Sequence, residues 1–129
     1  MVNPVIVISA YDRLESLTEL LKSIALSDGR RSKVIISVDG GGDPKIAEKE
    51  RYLEFNLDIE LKLHTKNLGL RQHLLYCGSL SKKYGSCIVL EDDLVVFPGF
   101  YRYVTRALST YKNANFIGGI SLYSPKYNE

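Results

Sequence analysis

Residues 87–100 read CIVLEDDLVVFPGF: an apolar run, three adjacent carboxylates, a second apolar run and then Pro-Gly-Phe. The first run is short and rich in β-branched residues, which predicts a buried strand. Pro98 is typical of the first turn of a helix, and the apolar spacing after it predicts one. The residues that share one face of that helix are Tyr101, Val104, Leu108 and Tyr111. These residues are therefore predicted to fold as a strand, an acidic loop and a helix.

Strand-like and helical patterns also alternate through the rest of the chain. Strands are predicted at residues 5–8, 34–38 and 59–63, the third half-exposed at a sheet edge, with a fifth strand beginning at Phe116-Ile117. A helix is predicted from Asp12, in capping-box spacing with Glu15, to about 28–29, and another follows the Asp43-Pro44 cap to about Phe55. A third helix, stopping near Gly85, is outlined by Leu70, Leu74, Leu75 and Leu80. This alternation predicts βαβ units and a mostly parallel sheet.

The composition is that of one globular domain covering residues 1–129. The 17 basic residues are dispersed and the net charge is only +2, so we expect no nucleic-acid partner. Cys77 and Cys87 lie among apolar neighbours and are predicted to be free thiols. The apolar stretch at the start is too short for a signal peptide or a membrane span. A cytoplasmic location is the default expectation, with membrane attachment of a longer protein left open.

Three loops are expected to meet at one edge of the sheet, because ligands of open α/β folds bind at the carboxyl ends of the strands. They follow the first, second and fourth predicted strands. Their residues are Ser9-Ala10-Tyr11-Asp12-Arg13, Asp39-Gly40-Gly41-Gly42 and Glu91-Asp92-Asp93.

The acidic loop is the strongest candidate for chemistry. Three adjacent carboxylates repel one another unless a cation or hydrogen-bond donors are present. Oxygen ligands suit Mg²⁺ or Mn²⁺, and Mg²⁺ usually takes one or two carboxylates plus substrate phosphates. A metal that bridges to phosphate is therefore predicted, against the alternative of a solvated acidic turn.

Four further residues are candidates for binding a nucleotide. Asp39 could accept hydrogen bonds from a ribose hydroxyl or a base, or simply start a turn with the three glycines after it. Arg13 and Arg71, each near the start of a helix, could reach a diphosphate, although solvated arginines fit equally well. Tyr11 could cover a nucleobase or serve packing.

Other kinds of site find little support in the sequence. His64 is expected to be an exposed strand residue and His73 a helix-surface or hydrogen-bonded residue, and no spacing suggests zinc. The segment after the first strand has no glycine between Ser9 and Ser16, which excludes the dinucleotide fingerprint. The P-loop pattern is absent as well.

The chain resembles GT-A glycosyltransferases, especially family 2-like transferases and the N-acetylglucosaminyltransferase I type. The resemblance covers nearly the whole chain and rests on residues 5–13, Val38-Asp39-Gly40-Gly41, Asn67-Leu68-Gly69 and residues 89–100. It implies a three-layer α/β/α, Rossmann-like GT-A fold and a nucleotide-sugar donor, UDP-linked by preference. The residues it implies for the donor are Ser9, Ala10, Tyr11, Arg13, Asp39, Arg71, Glu91 and Asp92.

By this resemblance, Asp39 contacts the uridine and Arg13 the phosphate region. Glu91 holds the sugar hydroxyls, Asp92 the ribose or the sugar, and Asp93 ligates Mn²⁺ or Mg²⁺. The implied reaction transfers a hexosyl unit to a hydroxyl of a glycan, lipid or protein acceptor. The catalytic base and the acceptor half are expected beyond residue 129, so that the chain is expected to be a truncated domain.

Two alternatives remain at this point. A sugar-phosphate nucleotidylyltransferase has a related fold, but its Gly-rich basic loop does not resemble residues 9–12. A non-catalytic interaction domain would make the acidic turn purely structural. The resemblance also leads us to expect exposed apolar surface where a second half docks, and self-association through that surface.

Overall fold

The computed structural model describes residues 3–111. Four strands form one sheet: β1 (Val5–Ala10), β2 (Lys33–Val38), β3 (Asp58–Leu63) and β4 (Cys87–Glu91). All three pairings are parallel, in the order β3-β2-β1-β4. The prediction of a parallel α/β sheet with β3 at an edge is confirmed. The predicted strand at Phe116-Ile117 lies outside the described residues.

Helices and helical turns connect the strands. They are α1 (Leu14–Ala25), two 3₁₀ segments (Pro44–Ala47 and Lys49–Phe55), α2 (Leu70–Ser79), α3 (Ser81–Tyr84) and α4 (Phe100–Tyr111). None of the helices within residues 3–111 has the length and apolar character needed to span a bilayer.

The two faces of the sheet are covered by different helices. Since side chains alternate along a strand, Ile6, Ile8 and Ala10 of β1 pack in the main core with α1 and α4. Val5 and Val7 face the other way and pack with Cys77 of α2. The result is the predicted three-layer α/β/α arrangement.

The start of α1 differs from the prediction. Its cap position is occupied by Arg13, which makes no side-chain capping bond, and the helix ends at Ala25 rather than near 28–29. Asp12 lies one residue too early to cap. Asp28, instead of extending α1, accepts hydrogen bonds from the backbone N–H groups of Tyr101 and Arg102 at 2.8 Å each, so it caps α4 from a distance.

The Asp43 cap is confirmed, since its side chain accepts from the Lys45 N–H, but no α-helix follows it. Extended backbone at Glu48 splits the segment into two 3₁₀ pieces. Ile46 and Tyr52 are both buried in this arrangement, and the Tyr52 hydroxyl donates to the Ile46 carbonyl at 2.6 Å.

The predicted third helix is present and helical structure ends at Gly85, but it is divided into α2 and α3, and of its leucines Leu80 packs against the core. Leu70 and Leu75 are exposed, whereas His73 and Cys77, one helical turn apart, are buried against the sheet. The reason lies in the sheet surface beneath the helix, where serine hydroxyls need polar partners. Cys77 and Cys87 are free thiols as predicted, and burial raises the pKa of Cys77 to about 11.

Candidate functional site

The loops after β1, β2, β3 and β4 meet at the carboxyl edge of the sheet, as expected for parallel strands. Two contacts link the first two loops: the Asp39 N–H donates to the Ala10 carbonyl at 2.9 Å, and the Asp43 N–H donates to the Tyr11 carbonyl at 3.2 Å. The loop after β4 is tied to α1, because the Val96 N–H donates to the Ser23 hydroxyl at 3.0 Å. The predicted site residues are therefore carried by mutually braced segments.

The three adjacent carboxylates lie in three different environments. Glu91 ends β4 and is exposed, in register with Ser9 of β1. Asp92 is buried, with 6% of its surface accessible. Asp93 is exposed and forms an ion pair with Arg13 at 3.3 Å. The two apolar runs that flank this turn were expected to be buried. This expectation is confirmed only in part, because Val95 and Phe97 are exposed.

Burial shapes the chemistry of Asp92. It raises the pKa of this carboxyl above its usual range, and the negative charges of Asp93 and Asp12 act in the same direction. The Arg13 guanidinium and a hydrogen bond from the Tyr11 backbone oppose the rise. A hydrogen-bond donor or a cation that binds beside Asp92 would therefore stabilise its charged form.

Asp39 is a structural anchor. Its carboxylate accepts hydrogen bonds from the backbone N–H groups of Gly40 at 2.9 Å, Leu68 at 2.7 Å and Gly69 at 3.0 Å. Burial alone raises the pKa of Asp39, but these three donors outweigh it and lower the pKa below the usual range. The turn role and the binding role foreseen for Asp39 are compatible, since Oδ2 accepts only one of these bonds and keeps a lone pair.

The glycines after Asp39 allow loops to approach one another. A Cβ at Gly40 would lie 2.5 Å from the Lys66 carbonyl carbon, and a Cβ at Gly42 would overlap the Tyr11 carbonyl. Asn67 adds a bond from its side-chain amide to the Gly40 carbonyl at 2.9 Å. Gly40 and Gly42 therefore allow neighbouring loops of the protein itself to approach closely. The sequence alone could not distinguish this role from close approach of the backbone to a ligand.

The remaining predicted residues divide into two groups. Tyr11 and Arg71 are exposed at this edge, Tyr11 beside Gly41 and Arg71 in the first turn of α2. Ser9 and Ala10 are buried, and the Ser9 hydroxyl is bonded to His73. The structure therefore brings Tyr11, Arg13 and the acidic turn together, and leaves Ser9 facing the interior.

Sequence reasoning missed a buried polar cluster beneath α2. His73 bonds through Nδ1 to Ser9 at 3.0 Å and through Nε2 to Ser37 at 2.8 Å, and Ser37 also lies 3.0 Å from Nε2 of His64. His64 is accordingly half-buried just after β3, so the prediction of an exposed strand residue is wrong. The signal in the sequence was a serine in each of two buried strands, Ser9 and Ser37, which face each other in register.

The donor groups can be tested for their fit to a divalent cation. Within residues 3–111 no three His, Cys, Asp or Glu side chains cluster closely enough to hold a metal by themselves. Asp93 offers one exposed carboxylate at the edge of the site. This fits the type of Mg²⁺ or Mn²⁺ site in which phosphates complete the ligand set, and it does not fit a metal cage built by the protein alone.

Comparison with known proteins agrees with the fold described above. The family model "Glycosyl transferase family 2" matches residues 5–129. The crystal structure of S. aureus TarS 1-349 in complex with UDP superimposes with a TM-score of 0.66 at 16% identity, over 86% of this chain and 33% of that chain. The complex of the same protein with UDP-GlcNAc gives 0.61 at 17% identity, over 84% of this chain and 32% of that one.

The crystal structure of S. aureus TarS gives a TM-score of 0.63 at 17% identity, over 84% of this chain and 20% of that one. Likeness at this level shows a shared fold, so the described residues have the GT-A fold. The chain spans a third or less of these proteins. No curated protein matches the sequence.

Proposed function

Because this chain belongs to glycosyl transferase family 2, we propose that it binds a nucleotide-sugar donor, UDP-linked, for transfer of a hexosyl unit to an acceptor hydroxyl. UDP is favoured since the TarS structures of the same fold contain UDP and UDP-GlcNAc. The acceptor, a glycan, lipid or protein, remains a prediction from the resemblance.

One observation carries the proposal most directly: the loops after β1 and β4 converge so that Arg13 and Asp93 lie 3.3 Å apart. A guanidinium beside a carboxylate offers two complementary attachments for a metal-bound diphosphate. The guanidinium donates to phosphate oxygens, and the carboxylate binds the cation. Both side chains are half-exposed, so they can turn from each other toward a ligand.

The other residues have roles that follow from their positions. Tyr11 lies over the glycine loop next to Asp39, which supports its stacking against the base while Asp39 accepts from the nucleoside. The family resemblance assigns Asp92 to the ribose or the sugar and Glu91 to the sugar hydroxyls. Arg71, in the first turn of α2, adds a second cation for the phosphates.

In the transfer step the acceptor oxygen forms a bond to the anomeric carbon as the bond from that carbon to the diphosphate oxygen breaks. The nucleoside diphosphate leaves with the electron pair, and the acceptor proton passes to a base. A bound Mg²⁺ or Mn²⁺ would supply positive charge to the departing diphosphate. Arg13 contributes donors to the same oxygens, and none of the described residues is assigned as the base.

The test is the thermal stability of the chain with UDP, GDP, ADP or CMP, each with Mn²⁺ or with a chelator. A nucleotide at a hundredfold excess over its Kd raises the free energy of unfolding by about 2.7 kcal/mol. We expect a UDP effect that requires Mn²⁺ and is lost in Asp93→Asn. Glu19→Gln, an exposed carboxylate on α1 paired with Lys22, is the matched control and should behave as wild type. The proposal is contradicted if UDP stabilises the chain equally without Mn²⁺ and in Asp93→Asn. It is also contradicted if no nucleotide stabilises the chain.

A further inference from the structure

His73 and Cys77 are the two side chains of α2 that are buried against the sheet, and His73 is the one that bonds to both Ser9 and Ser37. It is 2% exposed, and both ring nitrogens are occupied by the hydroxyls of Ser9 and Ser37, on neighbouring strands. The imidazole therefore pins α2 to β1 and β2 at the end of the sheet where the candidate site lies. Its polar bonds replace the leucine packing that the sequence had suggested.

The hydrogen-bond pattern suits a neutral ring. A neutral imidazole has one donor nitrogen and one acceptor nitrogen, so it accepts from one serine and donates to the other. Ser37 completes the chain by bonding to His64. A protonated ring has two donors and no acceptor, so both serines must accept from it. The serine that donates to the neutral ring must then direct its proton elsewhere. The positive charge would also be buried almost completely away from solvent, which is energetically unfavourable.

The same residue begins the connection to the candidate site. The backbone N–H of His73 donates to the Gly69 carbonyl at 2.9 Å, which forms the first turn of α2. The N–H groups of Gly69 and Leu68 in turn bond to Asp39, and Asn67 bonds to the Gly40 carbonyl. These bonds connect His73, within one helical turn, to the loop that holds Asp39 and the glycines in place.

We propose that neutral His73 is a positioning residue that fixes the first turn of α2 and residues 67–69, and that its protonation releases them and weakens nucleotide binding. The binding part of this inference rests on the proposed function. The positioning part concerns the loop alone and can be measured without any ligand.

Burial decides the direction of the pH effect, and the titratable groups on the elements around His73 modify it. Asp39 lies at the end of β2, His64 follows β3, Cys77 lies one turn along α2, and Glu91 of β4 is in register with Ser9. Burial lowers the pKa of His73; His64 acts in the same direction, and Asp39 opposes it without reversing it. Since the folded pKa is below the ordinary 6.5, the fold favours the neutral ring, and this stabilisation is present above pH 6.5 and lost as the pH falls through the folded pKa.

The experiment that needs no ligand is NMR of the full chain between about pH 8 and about pH 5. The ring proton shift of each histidine reports its own titration, and amide exchange of Leu68, Gly69 and His73 reports the loop. We expect these amides to lose protection in step with the titration of His73. The step should persist in His64→Gln and disappear in His73→Gln. If His73→Gln fails to fold, wild type and His64→Gln still decide the question.

The second arm measures UDP and Mn²⁺ binding by calorimetry over the same pH range. We expect wild type to bind about tenfold more weakly once His73 is protonated, a typical coupling between sites. His73→Gln should lack that step. Protection of residues 67–69 that does not change while His73 titrates overturns the positioning role. Absence of UDP binding at every pH overturns the proposed function, and the amide data then decide the positioning role separately.

Discussion

At the scale of single residues, the candidate site contains carboxylates whose environments differ sharply. Asp39 gains three backbone donors, whereas Asp92 is buried close to other carboxylates. The first arrangement stabilises the fold and the second weakens it in the ligand-free protein. Two substitutions that remove the charge but keep the shape should therefore have opposite effects.

Asp39→Asn should lower the free energy of unfolding by about 2 kcal/mol near neutral pH. The amide NH₂ of asparagine would replace one carboxylate oxygen, so that at least one backbone N–H would face another donor instead of an acceptor. The pKa of Asp39 is lowered in the fold, so its contribution is full above the ordinary 3.8 and lost as the pH falls through the folded value. Urea unfolding of variant and wild type should show a gap that closes in acid. Exposed Asp58→Asn is the control, and an equal loss there would count against the anchor role.

Asp92→Asn should stabilise the ligand-free chain by about 1 kcal/mol, a common size of gain when one substitution removes an unfavourable interaction. Burial raises the pKa of Asp92, so the ionised form costs stability above the folded pKa and the amide removes that cost. Urea unfolding and UDP binding should be measured on the same sample. Greater stability together with weaker binding is expected; a destabilised variant would show that the carboxylate is satisfied by its own neighbours.

At the scale of elements, the loops and helix ends are held by contacts between distant segments. Gly42 lies against the Tyr11 carbonyl, and Asp28 caps a helix that begins more than 70 positions later in the chain. Each contact fixes the direction in which a loop leaves the sheet edge. Each can be tested with a matched substitution elsewhere that lacks the contact.

Gly42→Ala should destabilise the fold by about 1–3 kcal/mol, because the added methyl overlaps the Tyr11 carbonyl and one loop must move. Gly78→Ala is the matched control. Apart from its chain neighbours and the backbone of its own helix, no atom lies within 4 Å of a Cβ at Gly78 in α2. Alanine there should raise stability by up to about 1 kcal/mol through its better helix propensity. Chemical denaturation of the two variants should give shifts of opposite sign, and equal shifts would contradict the packing of the two loops.

Asp28→Ala should cost about 1 kcal/mol, because it removes both capping bonds to the first turn of α4. Asp12→Ala is the informative comparison, since the sequence pattern favoured Asp12 as a cap and the structure shows no side-chain cap on α1. Its stability should stay close to wild type. Thermal unfolding of both variants, without ligand, checks the assignment, and a larger loss from Asp12→Ala would reverse it.

At the scale of the whole molecule, several large apolar side chains are exposed in the part of the chain that the structure describes. The exposed apolar residues in and after β4 and on α4 are Val89, Val95, Phe97 and Tyr103. Phe97 and Tyr103 contact each other edge to face, with ring centroids 6.2 Å apart. An apolar patch of this kind favours association in water.

We therefore predict that the 129-residue chain self-associates as its concentration rises, and that Val95→Ser with Phe97→Ser shifts it toward monomer. Both side chains are about half-exposed, so the substitutions should leave the core intact. Sedimentation velocity over a concentration series measures the effect. A wild type that stays monomeric throughout, or a double variant that associates equally, would count against this surface.

The sequence by itself determined the order of strands and helices, since each strand depends on a local apolar run and α4 on its local periodicity. It also placed the acidic turn and Asp39 at strand ends, where a parallel sheet gathers them at one edge. The helix ends were less predictable. Arg13 occupies the cap position of α1 that local spacing had given to Asp12, and Asp28, expected at the end of α1, caps α4 instead.

Only the tertiary structure decided which side chains meet. Ser9 and His73 are 64 positions apart, and Asp39 and Leu68 are 29 apart, so no local pattern could pair them. Their contacts depend on the strand order and on where α2 crosses the sheet. The same placement buries Asp92, pairs Asp93 with Arg13 and leaves Glu91 exposed, although the three carboxylates are adjacent in the chain. Local periodicity determines the elements, whereas burial, charge pairing and the state of each carboxylate arise only when distant segments pack together.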